Sequence, residues 1–148
     1  MAAQYDLLIV GAGPGGLAAA VAARALHLRV VVLDAGPRPG GQLLANDTPI
    51  LDCPGLDVAT GSELADRLRQ HLERLGGHVR VHAPVERIDG DGGTVELAGE
   101  RLVGTAIVLA TGAAPAASVC PARRTSRVAA CHRRPDGSVR RSRASRWS

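Results

Sequence analysis

The feature that most constrains the fold is a glycine-rich turn, Gly11-Ala12-Gly13-Pro14-Gly15-Gly16, near the start of this 148-residue chain. Residues 5–10, just before it, are mostly apolar and have the length and composition of a β-strand. The stretch after it, 17–26, favours a helix because alanine is the strongest helix former. A second apolar run, 29–34, ends in Asp34. The order strand, glycine turn, helix, strand and acid predicts a unit that binds a dinucleotide.

Each glycine of the turn has a predicted role in binding. Gly11 permits a tight turn, Gly13 lets the backbone approach a pyrophosphate, and Gly16 lets helix and strand pack closely. The N–H groups and the positive dipole end of the helix then face the phosphates. Asp34 is expected to accept a hydrogen bond from a ribose 2′-hydroxyl. A bare GxGxxG is often only a glycine-rich turn, so the flanking strands, helix and acid carry the prediction.

Charge divides the chain into two unlike parts. Residues 1–113 carry 9 Arg against 13 Asp and Glu, a net of −4, whereas residues 114–148 carry 9 Arg against Asp136 alone, a net of +8. The second part is rich in Ser, Arg, Ala and Pro and lacks apolar periodicity, which is typical of disorder. We therefore expect one folded domain over 1–113 and a disordered tail over 114–148. Specific nucleic-acid binding is not expected, because Trp147 is the one aromatic side chain in the tail.

The cysteine spacing and the N-terminal residues bear on the cellular location of the chain. Cys53, Cys120 and Cys131 form neither a C-x-x-C pair nor a zinc spacing, so neither a disulfide framework nor a metal site is predicted. The apolar start of the chain is broken by the glycine turn and has no basic leader, which predicts neither a signal peptide nor a membrane span. A cytoplasmic location is the resulting expectation.

The pattern after Asp34 predicts an α/β architecture. A loop without regular structure is expected up to about residue 60, and loops of that length are usually functional. Thr60-Gly61-Ser62-Glu63 is a capping box that opens a second, amphipathic helix, which ends at Gly76-Gly77. The later strands are expected in two groups, parallel strands at 78–82 and 106–110 and an antiparallel meander at 85–88, 94–97 and 101–103. This order predicts a Rossmann-like three-layer fold, a parallel sheet with a β-meander.

Four motifs in this order and spacing give the chain a family likeness. They are Gly11-Ala12-Gly13-Pro14-Gly15-Gly16-Leu17, Pro39-Gly40-Gly41-Gln42-Leu43, Cys53-Pro54-Gly55-Leu56 and Ala110-Thr111-Gly112-Ala113. From residue 4 to about residue 115 the chain resembles the N-terminal FAD domain of bacterial thioredoxin reductases and their relatives. The resemblance implies an FAD-dependent pyridine nucleotide-disulfide oxidoreductase, in which NAD(P)H reduces FAD and FAD reduces a cysteine pair. The relatives include ferredoxin reductases without that pair.

The resemblance also implies which residues form the cofactor site. The FAD pyrophosphate would be held by the glycine turn, through Gly11, Gly13, Pro14, Gly15 and Gly16. Asp34 would bind the adenosine ribose, although the family more often has the longer Glu there. The segments that would pass beside the FAD are Gly40, Gly41, Gln42 and Leu43, together with Thr111 and Gly112. Asp52 stands where the family tends to place an Asn against the flavin, and an anion there would disfavour the anionic reduced flavin. No catalytic residue is assigned.

Other parts of the family pattern are not found in these 148 residues, namely a second glycine motif, a C-x-x-C pair and a Gly-Asp motif that completes the flavin site. The family also supplies the last strand of its sheet from its C-terminus, so an unpaired sheet edge and marginal stability are expected. Two interpretations remain open, a truncated or frameshifted reductase and a non-enzymatic FAD-binding remnant or inactive fragment. The partners implied are NAD(P)H and a redox protein or small disulfide, with no membrane. Because the family is commonly dimeric, a homodimer is compatible with the sequence.

Overall fold

The computed structural model describes residues 4–51, 53, 56–113, 131–133 and 139–141. The chain divides into two units, residues 1–114 and 115–148. The first unit contains two α-helices, a 3-10 helix and six strands in the order β1 (Tyr5–Val10), α1 (Pro14–Ala25), β2 (Val30–Leu33), 3-10 helix (Gly41–Ala45), α2 (Gly61–Arg74), β3 (His78–Arg80), β4 (Arg87–Asp89), β5 (Thr94–Leu97) and β6 (Glu100–Leu109). This order confirms the predicted α/β fold.

Six strands form one mixed sheet in the order β3-β2-β1-β6-β5-β4. β1 pairs in parallel with β2 on one side and with β6 on the other, and β2 pairs in parallel with β3. β4, β5 and β6 pair antiparallel as the predicted meander. The carboxyl ends of β1, β2 and β6 therefore meet at one end of the sheet, which is where ligands bind in open α/β folds.

β6 is one continuous strand of ten residues, whereas two strands were predicted at 101–103 and 106–110. Its first part pairs with β5 and its later part pairs with β1. Gly104 joins the two parts, because its N–H donates to the carbonyl of Gly93 at 2.8 Å, and a Cβ there would lie 2.6 Å from Leu8 Cγ. The glycine between the two predicted strands is thus needed for close packing inside one strand. Among the described residues, the later part of β6, Ala106–Leu109, pairs with β1 on one side and with no strand on the other side.

The connection between β2 and α2 contains more structure than predicted. A 3-10 helix occupies Gly41–Ala45, and Ile50 and Val58 form an isolated antiparallel bridge. Gly40, at φ 134°, and Gly41, at φ 53°, turn the chain into the 3-10 helix through conformations that glycine adopts readily. A short 3-10 helix has no hydrophobic periodicity long enough to detect in a sequence.

Two hydrophobic clusters cover the two faces of the parallel strands. Side chains of β1 alternate between the clusters, with Ile9 on the helix side and Leu8 on the meander side, and both are fully buried. The helix-side cluster consists of Ile9, Ala12, Leu17, Ala20, Val32 and Leu72. The other consists of Leu8, Val10, Val31, Leu33, Ala83, Val95, Leu97 and Leu102. Burial on both faces explains why β1 and β2 are nearly continuous apolar runs.

The capping box predicted for α2 is present in a modified form. Thr60 is the N-cap, and its hydroxyl oxygen accepts a hydrogen bond from the Glu63 N–H at 3.2 Å. The Glu63 carboxylate reaches the N–H of Ala59 at 2.9 Å rather than that of Thr60. It also accepts from Arg67 at 2.7 Å, so one acid ties the chain before α2 to the second turn of the helix.

An ion pair between Asp6 and Arg29 gives a prediction about pH. Hydrogen bonds from the Arg29 side chain and backbone hold the pKa of Asp6 below its usual range, so the carboxylate stabilises the fold above the unfolded-state pKa. This contribution is lost as the pH falls through the folded-state pKa. Asp6→Asn is therefore expected to lower the melting temperature at about pH 7 and to change it little at about pH 2. Circular dichroism melts, with the exposed Asp47→Asn as the charge control, test this. An equal effect of Asp6→Asn at both pH values would contradict it.

Of the second unit, the structure describes two short strands, β7 (Cys131–Arg133) and β8 (Val139–Arg141), which pair antiparallel. Both lie within the segment predicted to be disordered, and the rest of that segment lies outside the described residues. Composition indicates how much apolar surface a segment can bury, and it does not exclude the short backbone pairing of β7 with β8. Across the described residues, no helix combines the length and the hydropathy needed to cross a bilayer.

Candidate dinucleotide-binding site

An open cavity of about 560 Å³ lies at the carboxyl ends of β1, β2 and β6. The residues that line it come from the glycine turn and from the segments after the other strands, and they are Gly11, Gly13, Pro14, Gly15, Asp34, Gly41, Gln42, Ala110, Thr111, Gly112 and Ala113. All except Ala110 and Ala113 were predicted as site residues, and these two flank Thr111 and Gly112 in the fourth motif. The fold therefore brings most of the predicted site residues to one place.

The glycines of the turn are of two kinds. A Cβ at Gly16 would lie 1.9 Å from the carbonyl oxygen of Gly11, and a Cβ at Gly11 would lie 2.2 Å from that of Ala110. Protein contacts alone therefore require glycine at 11 and 16. A Cβ at Gly13 or Gly15 would meet no described protein atom within 4 Å. These two glycines line the cavity, and the packing of the described residues does not require them.

The N-terminus of α1 opens on this cavity with its backbone donors uncapped by side chains. Gly13 is the N-cap and provides no side-chain hydrogen bond, and Pro14 occupies the first turn, where its missing N–H costs nothing. The first turn contains no acidic residue. The exposed N–H groups and the positive end of the helix dipole together favour an anion at this position.

Asp34, directly after β2, borders the cavity with its carboxylate already engaged by backbone. Its Oδ2 accepts a hydrogen bond from the Ala12 N–H at 2.5 Å, and its Oδ1 accepts one from the Gly36 N–H at 2.8 Å. Each carboxylate oxygen can accept a second hydrogen bond, so capacity for a ligand hydroxyl remains. Asp34 therefore borders the cavity, and its binding of a ribose stays a prediction.

The four predicted site residues of the second motif divide between the cavity and the packing of the 3-10 helix. Gly41 and Gln42 line the cavity, and the Gln42 side-chain amide donates to the Ala113 carbonyl at 2.5 Å, which joins the 3-10 helix to the segment after β6. Gly40 and Leu43 do not line it. A Cβ at Gly40 would lie 2.6 Å from Leu44, and the Leu43 carbonyl would lie 2.2 Å from a Cβ at Gly61. Both residues pack the 3-10 helix against α2.

A smaller cavity of about 270 Å³ adjoins the first and shares Gly11, Asp34 and Thr111 with it. Its other lining residues are apolar, namely Val10, Leu33, Ala35, Ala83 and Val85. Ala83 and Val85 follow β3 and were missed because they belong to no motif. A tertiary contact places them here, because the Ala83 N–H donates a hydrogen bond to the Asp34 carbonyl at 2.9 Å.

Two further residues of interest are Asp52 and Cys53. Asp52, predicted to face the flavin, lies outside the described residues. Cys53 is a half-buried free cysteine and lines neither cavity. Within the described part of the chain, no group of three His, Cys, Asp or Glu side chains is arranged to hold a metal ion.

Comparison with known proteins identifies the family. The family profile described as pyridine nucleotide-disulphide oxidoreductase matches residues 5–137, which include the glycine turn and every residue that lines the two cavities. This chain belongs to that family. The match also continues past residue 113 into the arginine-rich segment.

Relatives within the family agree with the resemblance seen in the four motifs. Thioredoxin reductase from Peptoclostridium acidaminophilum is 33% identical over 120 residues, which are 79% of this chain and 37% of that protein. Ferredoxin–NADP reductase from Ralstonia nicotianae is 44% identical over 95 residues, 61% of this chain and 26% of the relative. The structure of thioredoxin reductase from Streptococcus pyogenes MGAS5005 matches with a TM-score of 0.64 at 32% identity, over 73% of this chain and 35% of the other.

These matches confirm the predicted relationship to thioredoxin reductases. They also show that the chain spans about a third of the length of the relatives it matches.

Proposed function

We propose that this chain forms the FAD-binding part of an NAD(P)H-dependent oxidoreductase of the thioredoxin reductase type. The observation that carries the proposal is the open glycine surface at Gly13 and Gly15, where a Cβ would meet no described protein atom within 4 Å. Glycine at these two positions is explained by a ligand that must approach the backbone closely. The uncapped N-terminus of α1 beside them suits the negative charge of a pyrophosphate.

The shape of the groove suggests how its residues divide the binding of FAD. The pyrophosphate would lie over Gly13 and Gly15, and the adenosine would extend into the smaller apolar cavity with Asp34 at its ribose. Gln42 lines the larger cavity and not the smaller one, and it would face the flavin. When bound, FAD supplies two-electron transfer, and the residues of this chain bind it, orient it and bury part of it.

The proposal extends to the remaining partners through the relatives. The family description names a pyridine nucleotide and a disulphide, and the relatives are named for thioredoxin and for ferredoxin with NADP, so we include NAD(P)H and a redox protein or small disulfide. A homodimer rests on family membership alone, and a cytoplasmic location stays a prediction from the sequence. Redox chemistry at Cys53 is not part of the proposal, because this residue lines neither cavity.

Reconstitution with FAD tests the proposed function. The purified chain is incubated with FAD, freed of excess cofactor by gel filtration and examined for flavin absorbance at about 450 nm. Calorimetry then compares the affinity for FAD with the affinity for NAD. We expect retained flavin and tighter binding of FAD, because Gln42 extends the larger cavity beyond the glycine turn. Tighter binding of NAD would contradict the flavin assignment. Anaerobic addition of NADPH then distinguishes an oxidoreductase, whose flavin is bleached, from a fragment that only binds FAD.

A further inference from the structure

Ala12, the residue between the first two glycines of the turn, is held from two sides. Its N–H donates to Asp34 Oδ2 at 2.5 Å, and its carbonyl accepts from the Gly40 N–H at 2.8 Å. Ala12 is 0% exposed, so its N–H depends on a protein acceptor. The structure provides a carboxylate, and a hydrogen bond to an ionised acceptor is shorter and stronger than one to a neutral group.

The Asp34 carboxylate is itself fixed in orientation. Its second oxygen accepts the Gly36 N–H at 2.8 Å. Its backbone is held on the β3 side, because its N–H donates to the Arg80 carbonyl and its carbonyl accepts from Ala83, both at 2.9 Å. Asp34 therefore links the ends of β2 and β3 to the glycine turn through a rigid set of contacts.

The glycine turn needs such a link, because Gly11 and Gly13 flank Ala12 and glycine backbones sample many conformations. A carboxylate beside a site for a diphosphate is also unfavourable electrostatically unless hydrogen-bond donors compensate it. The two backbone N–H groups provide that compensation. A ribose acceptor alone would need neither contact.

We propose that Asp34 is a positioning residue, whose carboxylate holds the Ala12 N–H and so fixes the glycine turn in its binding shape before the ligand arrives. The identity of the ligand, FAD, rests on the proposed function. The hydrogen bond and its effect on the turn belong to the free protein and are testable without any ligand.

Amide exchange in the ligand-free protein is the first test. In Asp34→Ala, we expect the Ala12 N–H to exchange about 10- to 100-fold faster than in the wild type, while the buried Ile9 and Val32 keep their protection. The control is Asp89→Ala, which removes a carboxylate that accepts the Gly92 N–H at 3.1 Å far along the chain. Unchanged exchange of Ala12 in a folded Asp34→Ala protein would overturn the proposal.

A measurement on the wild type covers the case in which Asp34→Ala does not fold. Nuclear magnetic resonance detects scalar coupling across a hydrogen bond, here between the Ala12 nitrogen and the carboxylate carbon of Asp34. We expect this coupling to be present in the ligand-free wild-type chain. Its absence would overturn the proposal equally.

A ligand comparison separates positioning from direct ribose contact. Affinities of wild type and Asp34→Ala are measured for FAD and for an FAD analogue that lacks the adenosine 2′-hydroxyl. If Asp34 positions the turn, Asp34→Ala also lowers the affinity for the analogue by about tenfold, because the turn is affected whether or not the hydroxyl is present. A loss confined to natural FAD would overturn the positioning role. If the wild type binds neither compound, the proposed function fails, and the exchange measurement still decides the role of Asp34.

Discussion

Valine at Gly13 is expected to abolish FAD binding while leaving the fold intact. Gly13 adopts φ −72° and ψ −176°, an extended conformation that valine accepts, and a Cβ there meets no described protein atom within 4 Å. The new side chain would instead fill the space that a pyrophosphate must enter. We expect a loss of about 100-fold or more in FAD affinity, equivalent to about 2.8 kcal/mol. The far-UV circular dichroism spectrum should change little.

Gly90→Val is the matched control for this substitution. Gly90 lies in the turn between β4 and β5, and a Cβ there also meets nothing within 4 Å. Calorimetric titration with FAD should therefore give the wild-type affinity for Gly90→Val and no measurable binding for Gly13→Val. Wild-type affinity in Gly13→Val would show that the phosphates lie elsewhere on the protein.

Alanine at Gly16 is expected to have the opposite effect and to damage the fold itself. Its Cβ would lie 1.9 Å from the Gly11 carbonyl oxygen, a backbone atom that cannot rotate away. The backbone of Gly11 is itself packed closely against the end of β6, since a Cβ built on Gly11 would lie 2.2 Å from the Ala110 carbonyl oxygen. Gly11 therefore has little room to move away. We expect the free energy of unfolding to fall by about 3 kcal/mol or more.

Gly15→Ala, one residue away in the same helical turn, isolates the cause of that loss. A Cβ at Gly15 meets nothing within 4 Å, and alanine has the higher helix propensity, so stability should be unchanged or higher by up to about 1 kcal/mol. Urea denaturation followed by circular dichroism measures both variants. Similar losses in Gly16→Ala and Gly15→Ala would mean that close packing of α1 on β1 does not explain the glycine at 16.

Local patterns in the sequence were sufficient to predict most of the elements. β1 was predicted at its observed bounds, and α2 was predicted from its capping box and its leucine face. These signals come from neighbouring residues, because strand and helix periodicities repeat within a few positions. The family resemblance also rested on such local motifs, and it was confirmed.

Features that depend on distant contacts were missed or placed incorrectly. β6 was predicted as two strands, whereas Gly104 lies inside one continuous strand, where the lack of a side chain lets it fit against Leu8. Ala83 and Val85 were not recognised as cavity residues, because only the pairing of the β3 end with Asp34 brings them there. Neither contact leaves a local pattern in the sequence.

The sequence was sufficient for most of the order of strands and helices, for the position of the glycine turn and for the family of the chain, because propensity, hydrophobic period and short motifs act over neighbouring residues. Only the tertiary structure shows which role each glycine of the turn and Asp34 has in the fold. Gly11 and Gly16 are required by backbone contacts across the fold, whereas Gly13 and Gly15 face open space. Asp34 binds the backbone of the turn that precedes α1. These distinctions depend on distances between segments that meet only when the sheet has formed.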